Sequence, residues 1–382
     1  MSVILTGGKY FDKDFQLVPG EVKIESGRIT ETGENLSRTP GDELVKIPGK
    51  LVAPGFIDVH IHGCAGASVG DEGRESIDTM ARFLLKHGVT SFCPTASTVP
   101  VPVIENAIRT AKECAEQPLG DGSRVVGIHL EGPFISAPRK GAQLESAILP
   151  PDFELFKRLY DLSGGLIRLV VVAPEQPGGY EFAAKASELC TVSIAHTTAA
   201  YEEAMRSFEC GVSHATHLFN AMNGLQHREP GVVGAVFDSD TVRGELICDG
   251  IHIHPATLRT AFKLLGDRAL IVSDSIRAGG MGEGEVNELG EQTVYVKNGK
   301  ATLADGTIAG SVTNIHDEIR NLVSFGVPLD RAVKAGSLIP AKAIGMDHEI
   351  GSIEPGKRAD LVLMDEDLNI DSVILGGKSL HF

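Results

Sequence analysis

Pro54-Gly55-Phe56-Ile57-Asp58-Val59-His60-Ile61-His62-Gly63 is a short apolar run that ends in two histidines one residue apart. Alternate side chains of a β-strand share a face, so on a strand His60 and His62 project together. Two imidazoles side by side at a strand end form a pair of metal ligands. A lone His-x-His is a weak signal, because two unrelated histidines on a half-buried strand look the same. Its meaning depends on whether the chain supplies more ligands in matching places.

From Phe56 onward, apolar runs alternate with helical patterns. Residues 76–87 carry Ile77, Met80 and Leu84 on one stripe, with Gly88 as a stop. Apolar runs follow at 91–93, 125–130, 168–172, 192–195, 212–216, 245–248 and 269–272, and helical patterns at 101–115, 182–189, 201–210 and 255–265. With 56–59 counted first, this predicts about eight strands separated mostly by helices. Repeated βα units argue for a parallel sheet in an α/β protein, and eight of them for a closed (β/α)8 TIM-like barrel. A doubly wound open sheet is the alternative, but no GxGxxG follows a first strand to support a dinucleotide site.

The two ends of the chain differ from this middle and resemble each other. Residues 1–53 read as short strands with turns, including 3–6, 22–25, 45–47 and 51–53. The tail reads as strands at 351–353, 359–364 and 372–375. We therefore expect residues 1–53 and 347–382 to pair into one small β-sandwich domain flanking a barrel of residues 54–346. Residues 283–310 read as a hairpin excursion from the last barrel strand, with helices following at 314–324, 329–335 and 340–344.

In a parallel barrel, active groups sit where strands end and the βα loops begin. His60 and His62 end the first predicted strand, Glu131 the third, His196 the fifth, His217 the sixth and Asp274 the eighth. One such coincidence is cheap; five strand ends are not. Each could be a buried polar residue with a hydrogen-bond partner, yet together they describe a metal centre. Three N/O ligands plus water make a catalytic zinc-like site, and five or six can hold two metals. His129 and His214 lie beside better-placed ligands and read as backing or packing residues. His254 and His316 carry no signal.

Net charge is −16, which disfavours nucleic acid or an anionic membrane as a general partner. No apolar run approaches the roughly 18 residues of a membrane helix, and the first residues, with Lys9, Asp12, Lys13 and Asp14, do not read as a signal peptide. The 6 cysteines form no CxxC pair, so reduced thiols in a cytoplasmic protein are the simplest reading.

Six motifs carry a resemblance. They are His129-Leu130-Glu131-Gly132-Pro133-Phe134, His217-Leu218-Phe219-Asn220-Ala221-Met222, Arg228-Glu229-Pro230-Gly231, Cys248-Asp249-Gly250-Ile251-His252, Asp274-Ser275-Ile276-Arg277-Ala278 and Gly306-Thr307-Ile308-Ala309-Gly310-Ser311. With the opening Pro54–Asp58 and His60-x-His62, the chain resembles the amidohydrolase superfamily. Within it, the chain is similar to the family of deacetylases acting on N-acetylglucosamine 6-phosphate. The resemblance covers nearly the whole chain and implies a metal-dependent hydrolase of amino-sugar catabolism.

By that resemblance Glu131, His196 and His217 match the main metal ligands, and His60 and His62 match second-metal ligands. One or two divalent ions, zinc or iron, are implied. Asp274 matches the catalytic aspartate, here also counted among the metal ligands. Asn220, Ala221, Arg228 and His252 match positions that bind the sugar phosphate, with Arg228 and His252 near a homodimer interface. Ala142, Gln143, Ile308, Ala309 and Gly310 match substrate-contacting loops. Two departures stand out: Gln143 replaces a usual histidine that polarises the acetyl carbonyl, and Gln226 sits where close relatives often carry histidine. The alternatives are a deacetylase of N-acetylgalactosamine 6-phosphate, another amide hydrolase of the superfamily, or a non-catalytic relative. Cyclic-amide enzymes that bridge two metals with a carboxylated lysine are disfavoured, since Glu131 sits at the bridging place and no lysine ends a strand near it.

Overall fold

The structure is a computed structural model that describes residues 2–284, 286–289 and 292–381. Eight parallel strands form the centre. We label them β1 (Phe56–Ile61), β2 (Val89–Ala96), β3 (Ile128–Leu130), β4 (Ile167–Val172), β5 (Thr191–Ile194), β6 (Val212–Ala215), β7 (Arg243–Leu246) and β8 (Ala269–Ile271). Each pairs with the next in parallel register, and a two-residue strand at Arg124–Val125 also pairs with β2. The residues after β8 return to the end of β1: His62 N–H donates to the Ser275 carbonyl at 2.8 Å, and Asp274 N–H to the His60 carbonyl at 2.9 Å. The sheet thus curls into a barrel of the TIM type.

Helices connect the strands: α1 (Arg74–Lys86), α2 (Val101–Glu116), α3 (Phe153–Ser163), α4 (Gly179–Ala186), α5 (Tyr201–Glu209), α6 (Gly231–Asp238), α7 (Pro255–Leu265) and α8 (Ile315–Ser324). The pattern reading had not marked α3 or α6. α3 starts at Asp152, whose carboxylate accepts from the Glu154 and Leu155 N–H groups, and stops at left-handed Gly164. Both cap signals are in the sequence. α6 has two glycines and four β-branched or aromatic residues in eight, a poor helix former by propensity. It forms because Val232, Val233, Ala235 and Val236 are fully buried against the barrel.

The amino-terminal mouth of the barrel is plugged. The helix Leu338–Ala343 and Ile344 after it pack Ile339, Ala341, Ala343 and Ile344 with Ile57, Val59, Cys93, Leu169 and Leu270. The Ile57 N–H donates to the Gly336 carbonyl, and Thr191 Oγ1 to the Ala343 carbonyl, both at strand starts. Among the described residues it is the carboxyl end of the barrel that opens to a ligand.

The chain ends meet in one mixed eight-stranded sheet. Leu51–Pro54 lies antiparallel to Leu361–Met364 and parallel to the long first strand, Ser2–Phe11. The predicted strand at 351–353 is instead a bend. The excursion after β8 has three antiparallel strands rather than two: Val286–Leu289, Gln292–Lys297 and Lys300–Thr302. Residues 285, 290 and 291 of that stretch lie outside the described residues.

Candidate metal centre

The strand ends aim the predicted ligands at one another. Glu131 follows β3 directly and stands at the middle. Its Oε1 lies 3.0 Å from His196 Nε2 and 2.9 Å from His217 Nε2, and its Oε2 lies 3.1 Å from His62 Nε2. Asp274 Oδ1 lies 3.5 Å from His60 Nε2 and 3.4 Å from His62 Nε2. Two sets of three donors result, Glu131–His196–His217 and His60–His62–Asp274, each with its donor atoms within 4.8 Å of one another. All six residues are buried.

Backbone geometry marks the same residues. His196, His217 and Asp274 adopt φ values of 43°, 33° and 47°. Residues with side chains seldom enter this left-handed region, and such strain collects at functional sites. Turning sharply at the strand end is what swings each side chain over the barrel mouth.

The donor set fits cations. A carbonyl oxygen only accepts, so His196 Nδ1 must carry its proton toward the Arg139 carbonyl at 2.8 Å; His62 Nδ1 can do the same toward the Thr95 carbonyl at 3.1 Å, with the Ser97 hydroxyl at 2.9 Å accepting as well. His60 Nδ1–H donates to Glu245 Oε2 at 2.9 Å. In the neutral rings, Nε2 is therefore the bare nitrogen. Yet His60 and His62 hold their Nε2 atoms 3.2 Å apart, and His196 and His217 hold theirs 3.0 Å apart. Bare lone pairs that close repel unless a proton or cation lies between them. Zn–N bonds of about 2.0–2.1 Å in tetrahedral array would set two nitrogens about 3.3 Å apart.

The electrostatics agree. Burial works against a charged His60, yet Asp274, Glu245 and Glu131 hold its pKa well above the ordinary imidazole value. His62 is likewise buried, and Asp274 and Glu131 push it up to about 9. Glu131 lies well below the usual carboxylate range: burial opposes its charge, but His60, His196 and His217 outweigh that. Protons are thus favoured on His60 and His62, so a cation bound there would displace them.

A polar layer beneath the donors holds them in place. Glu245, on β7 and fully buried, accepts from His60 Nδ1–H, from His214 Nε2–H at 3.0 Å and from the His217 N–H at 3.1 Å. It therefore supports one ligand of each set. The sequence reading passed over this residue, although a glutamate inside the apolar run Gly244–Cys248 is an available signal. His129 donates from Nδ1 to the Val59 carbonyl at 3.1 Å; burial and the neighbouring His60 push its pKa down to about 3.

Above the donors opens a cavity of about 480 Å³. Ala142, Gln143, Asn220, Ala221, His252, Ile308 and Gly310 all line it. Ala309 does not: it packs among Ile276, Val294 and Ala301, on the far side of its loop. Arg228 also stays outside, exposed, with Nη1 2.8 Å from His227 Nε2. Gln143 is drawn down onto the donors. Its Nε2 donates to Glu131 Oε2 at 2.5 Å, and its Oε1 accepts from the Thr98 N–H at 2.7 Å. Arg277 faces the cavity but is tied to Asp71 and to the Gly66 carbonyl. His252 is held by Asp249: burial opposes its charge, but the carboxylate 2.7 Å from Nδ1 raises its pKa.

A sequence model of the amidohydrolase family matches residues 51–380, which contain every donor above. This chain belongs to the amidohydrolase family. The amidohydrolase is 37% identical over 364 residues to N-acetylglucosamine-6-phosphate deacetylase from Bacillus subtilis, covering 94% of this chain and 92% of that one. Among solved structures, N-acetylglucosamine-6-phosphate deacetylase from Pasteurella multocida superposes over the full length of both chains, with a TM-score of 0.93 and 29% identity. An Asp-to-Ala variant of the Mycobacterium smegmatis enzyme, in complex with N-acetyl-D-glucosamine-6-phosphate, matches over both full lengths with a TM-score of 0.92 and 29% identity.

Proposed function

We propose that this amidohydrolase hydrolyses the acetamide of N-acetylglucosamine 6-phosphate to glucosamine 6-phosphate and acetate. The observation that carries this reading is the joint presence of six convergent donors and, over them, a cavity lined by Asn220, Ala221 and His252. The likeness to deacetylases of that substrate supports it.

Glu131, His196 and His217 would hold one divalent cation, and His60, His62 and Asp274 a second; zinc or iron suits these N/O donors. A bound cation supplies hydroxide near neutral pH by lowering the pKa of its water to about 7. Asp274, with its pKa held below the usual value by His60 and His62 against the effect of burial, stays ionised and can accept the water's proton. It can then deliver that proton to the departing amine. Gln143 spends one N–H on Glu131 and keeps a second that can donate to the developing oxyanion. His252, whose protonated form Asp249 favours, and the amide of Asn220 would grip the phosphate.

Arg228 lies too far out to serve its own cavity. Exposed Leu225 and Ile251, at 50% and 38%, flank Arg228 and His252. These exposed apolar side chains, each close in sequence to a residue expected near the subunit contact, support a homodimer that would cover them. No helix among the described residues is long and apolar enough to cross a membrane. All six cysteines are free, which supports a cytoplasmic enzyme.

Acetate release should be measured with protein of known metal content. N-acetylglucosamine 6-phosphate, its galactosamine epimer and the unphosphorylated sugar are the three substrates. Turnover of the first, dependent on both phosphate and metal, is the expected result. Turnover of the epimer alone would replace the substrate, and turnover of none would overturn the reading.

A further inference from the structure

We propose that this site also hydrolyses N-acyl groups longer than acetyl, with the acyl chain seated against α2. The inference rests on the sugar-phosphate reading above and extends it to the opposite end of the substrate.

In an eight-stranded barrel, the loop after strand 2 faces the loop after strand 6 across the mouth. Asn220 follows β6 and His252 follows β7, so the sugar phosphate is held on that side. The donors stand in the middle. A carbonyl carbon placed at the donors bears two substituents that point apart: the sugar nitrogen and the acyl carbon. With the nitrogen turned toward β6 and β7, the acyl carbon points toward the loops after β1, β2 and β3.

That side of the same cavity carries an apolar strip beside the polar Ser68, Ser97, Thr98 and Gln143. Val69 comes from the loop after β1, Val99, Val103 and Ala107 from the segment after β2, and Leu144 from the loop after β3. Val103 and Ala107 sit one turn apart on α2, so this wall runs about 6 Å along the helix. An acetyl group ends at a methyl only about 1.5 Å beyond its carbonyl carbon. The strip along α2 is thus longer than the reach of an acetyl methyl and offers a longer acyl chain a surface to lie against.

The reaction is unchanged in its balance. Water's oxygen forms the new bond to the acyl carbon, the C–N bond breaks, and the proton reaches the amine through Asp274. The products are glucosamine 6-phosphate and propanoate or butanoate.

The test is kcat/KM of the metal-loaded enzyme on the N-acetyl, N-propanoyl and N-butanoyl derivatives of glucosamine 6-phosphate. Butanoyl should fall within about tenfold of acetyl, since a pocket that admits a methylene is worth roughly 10–200-fold over one that does not. Val103→Phe, or Ala107→Leu should the first variant not fold, should cut the butanoyl-to-acetyl ratio at least about tenfold. A wild-type ratio below about one in a thousand would overturn the proposal, as would a ratio that neither variant moves. Failure on acetyl itself would instead sink the deacetylase reading, and so the two failures are distinct.

Discussion

Replacing Glu245 by Gln should weaken one cation site and spare the other. The carboxylate accepts three hydrogen bonds: from His60 Nδ1–H and the His217 N–H on Oε2, and from His214 Nε2–H on Oε1. A glutamine can place its oxygen on the first pair and its amide nitrogen toward His214. His214 can accept by moving its proton to Nδ1, which has no partner among the described residues. The geometry survives, and only the negative charge behind His60 is lost. A carboxylate behind a ligand imidazole is typically worth about 10–100-fold in metal affinity, or about 1.4–2.7 kcal/mol. His62 and His196 are backed by neutral carbonyls and are untouched. The loss should fall on the His60–His62–Asp274 set, with the Glu131–His196–His217 set nearly unchanged. Titration of metal-free protein with zinc by calorimetry, under chelator competition, resolves the two steps, and cooperative thermal unfolding of the variant checks its fold. If both steps keep their wild-type affinity, or both fall together, Glu245 does not act through His60 and the reasoning fails.

Two further outcomes follow from other groups. Asp274→Asn should lower turnover by roughly 10²–10⁴-fold while elemental analysis still finds metal on the Glu131–His196–His217 set; near-normal turnover would remove Asp274 from its proton-transfer role. Glu318, on α8, is fully buried, and neither carboxyl oxygen makes a hydrogen bond of ordinary geometry among the described residues. Burial, then the neighbouring Asp249, hold its pKa well above the usual 4.5, so the fold opposes its ionisation and unfolding relieves it. An acid with a raised folded pKa costs stability increasingly as pH climbs past its unfolded value. Glu318→Met should therefore stabilise by about 1–3 kcal/mol at neutral pH, with a larger gain in Tm at about pH 8 than at about pH 5; an equal gain at both would show that Glu318 is not the titrating group.

The donors were legible because a barrel puts its chemistry at strand ends, and strand ends can be read from where apolar runs stop. Glu131, His196, His217 and Asp274 each follow such a run. Glu245 was passed over for the opposite reason: it lies inside a run, and its partners come from β1 and β6, 185 and 31 residues away. α3 was in the sequence all along, in Asp152 and Gly164. α6 was not, because its glycines and valines favour no helix until the barrel buries them.

The sequence by itself determined the alternation of strands and helices, the six candidate ligands at strand ends and the apolar faces that must be covered. Local periodicity and residue chemistry suffice for those. Tertiary structure alone decided that Gln143 turns down onto Glu131, that Arg228 stays outside, and that one cavity runs from His252 to Ala107. Those facts depend on how the curled sheet brings loops distant along the chain to a common mouth. Left-handed turns at His196, His217 and Asp274 then set the final ångström, and no residue pattern encodes that geometry.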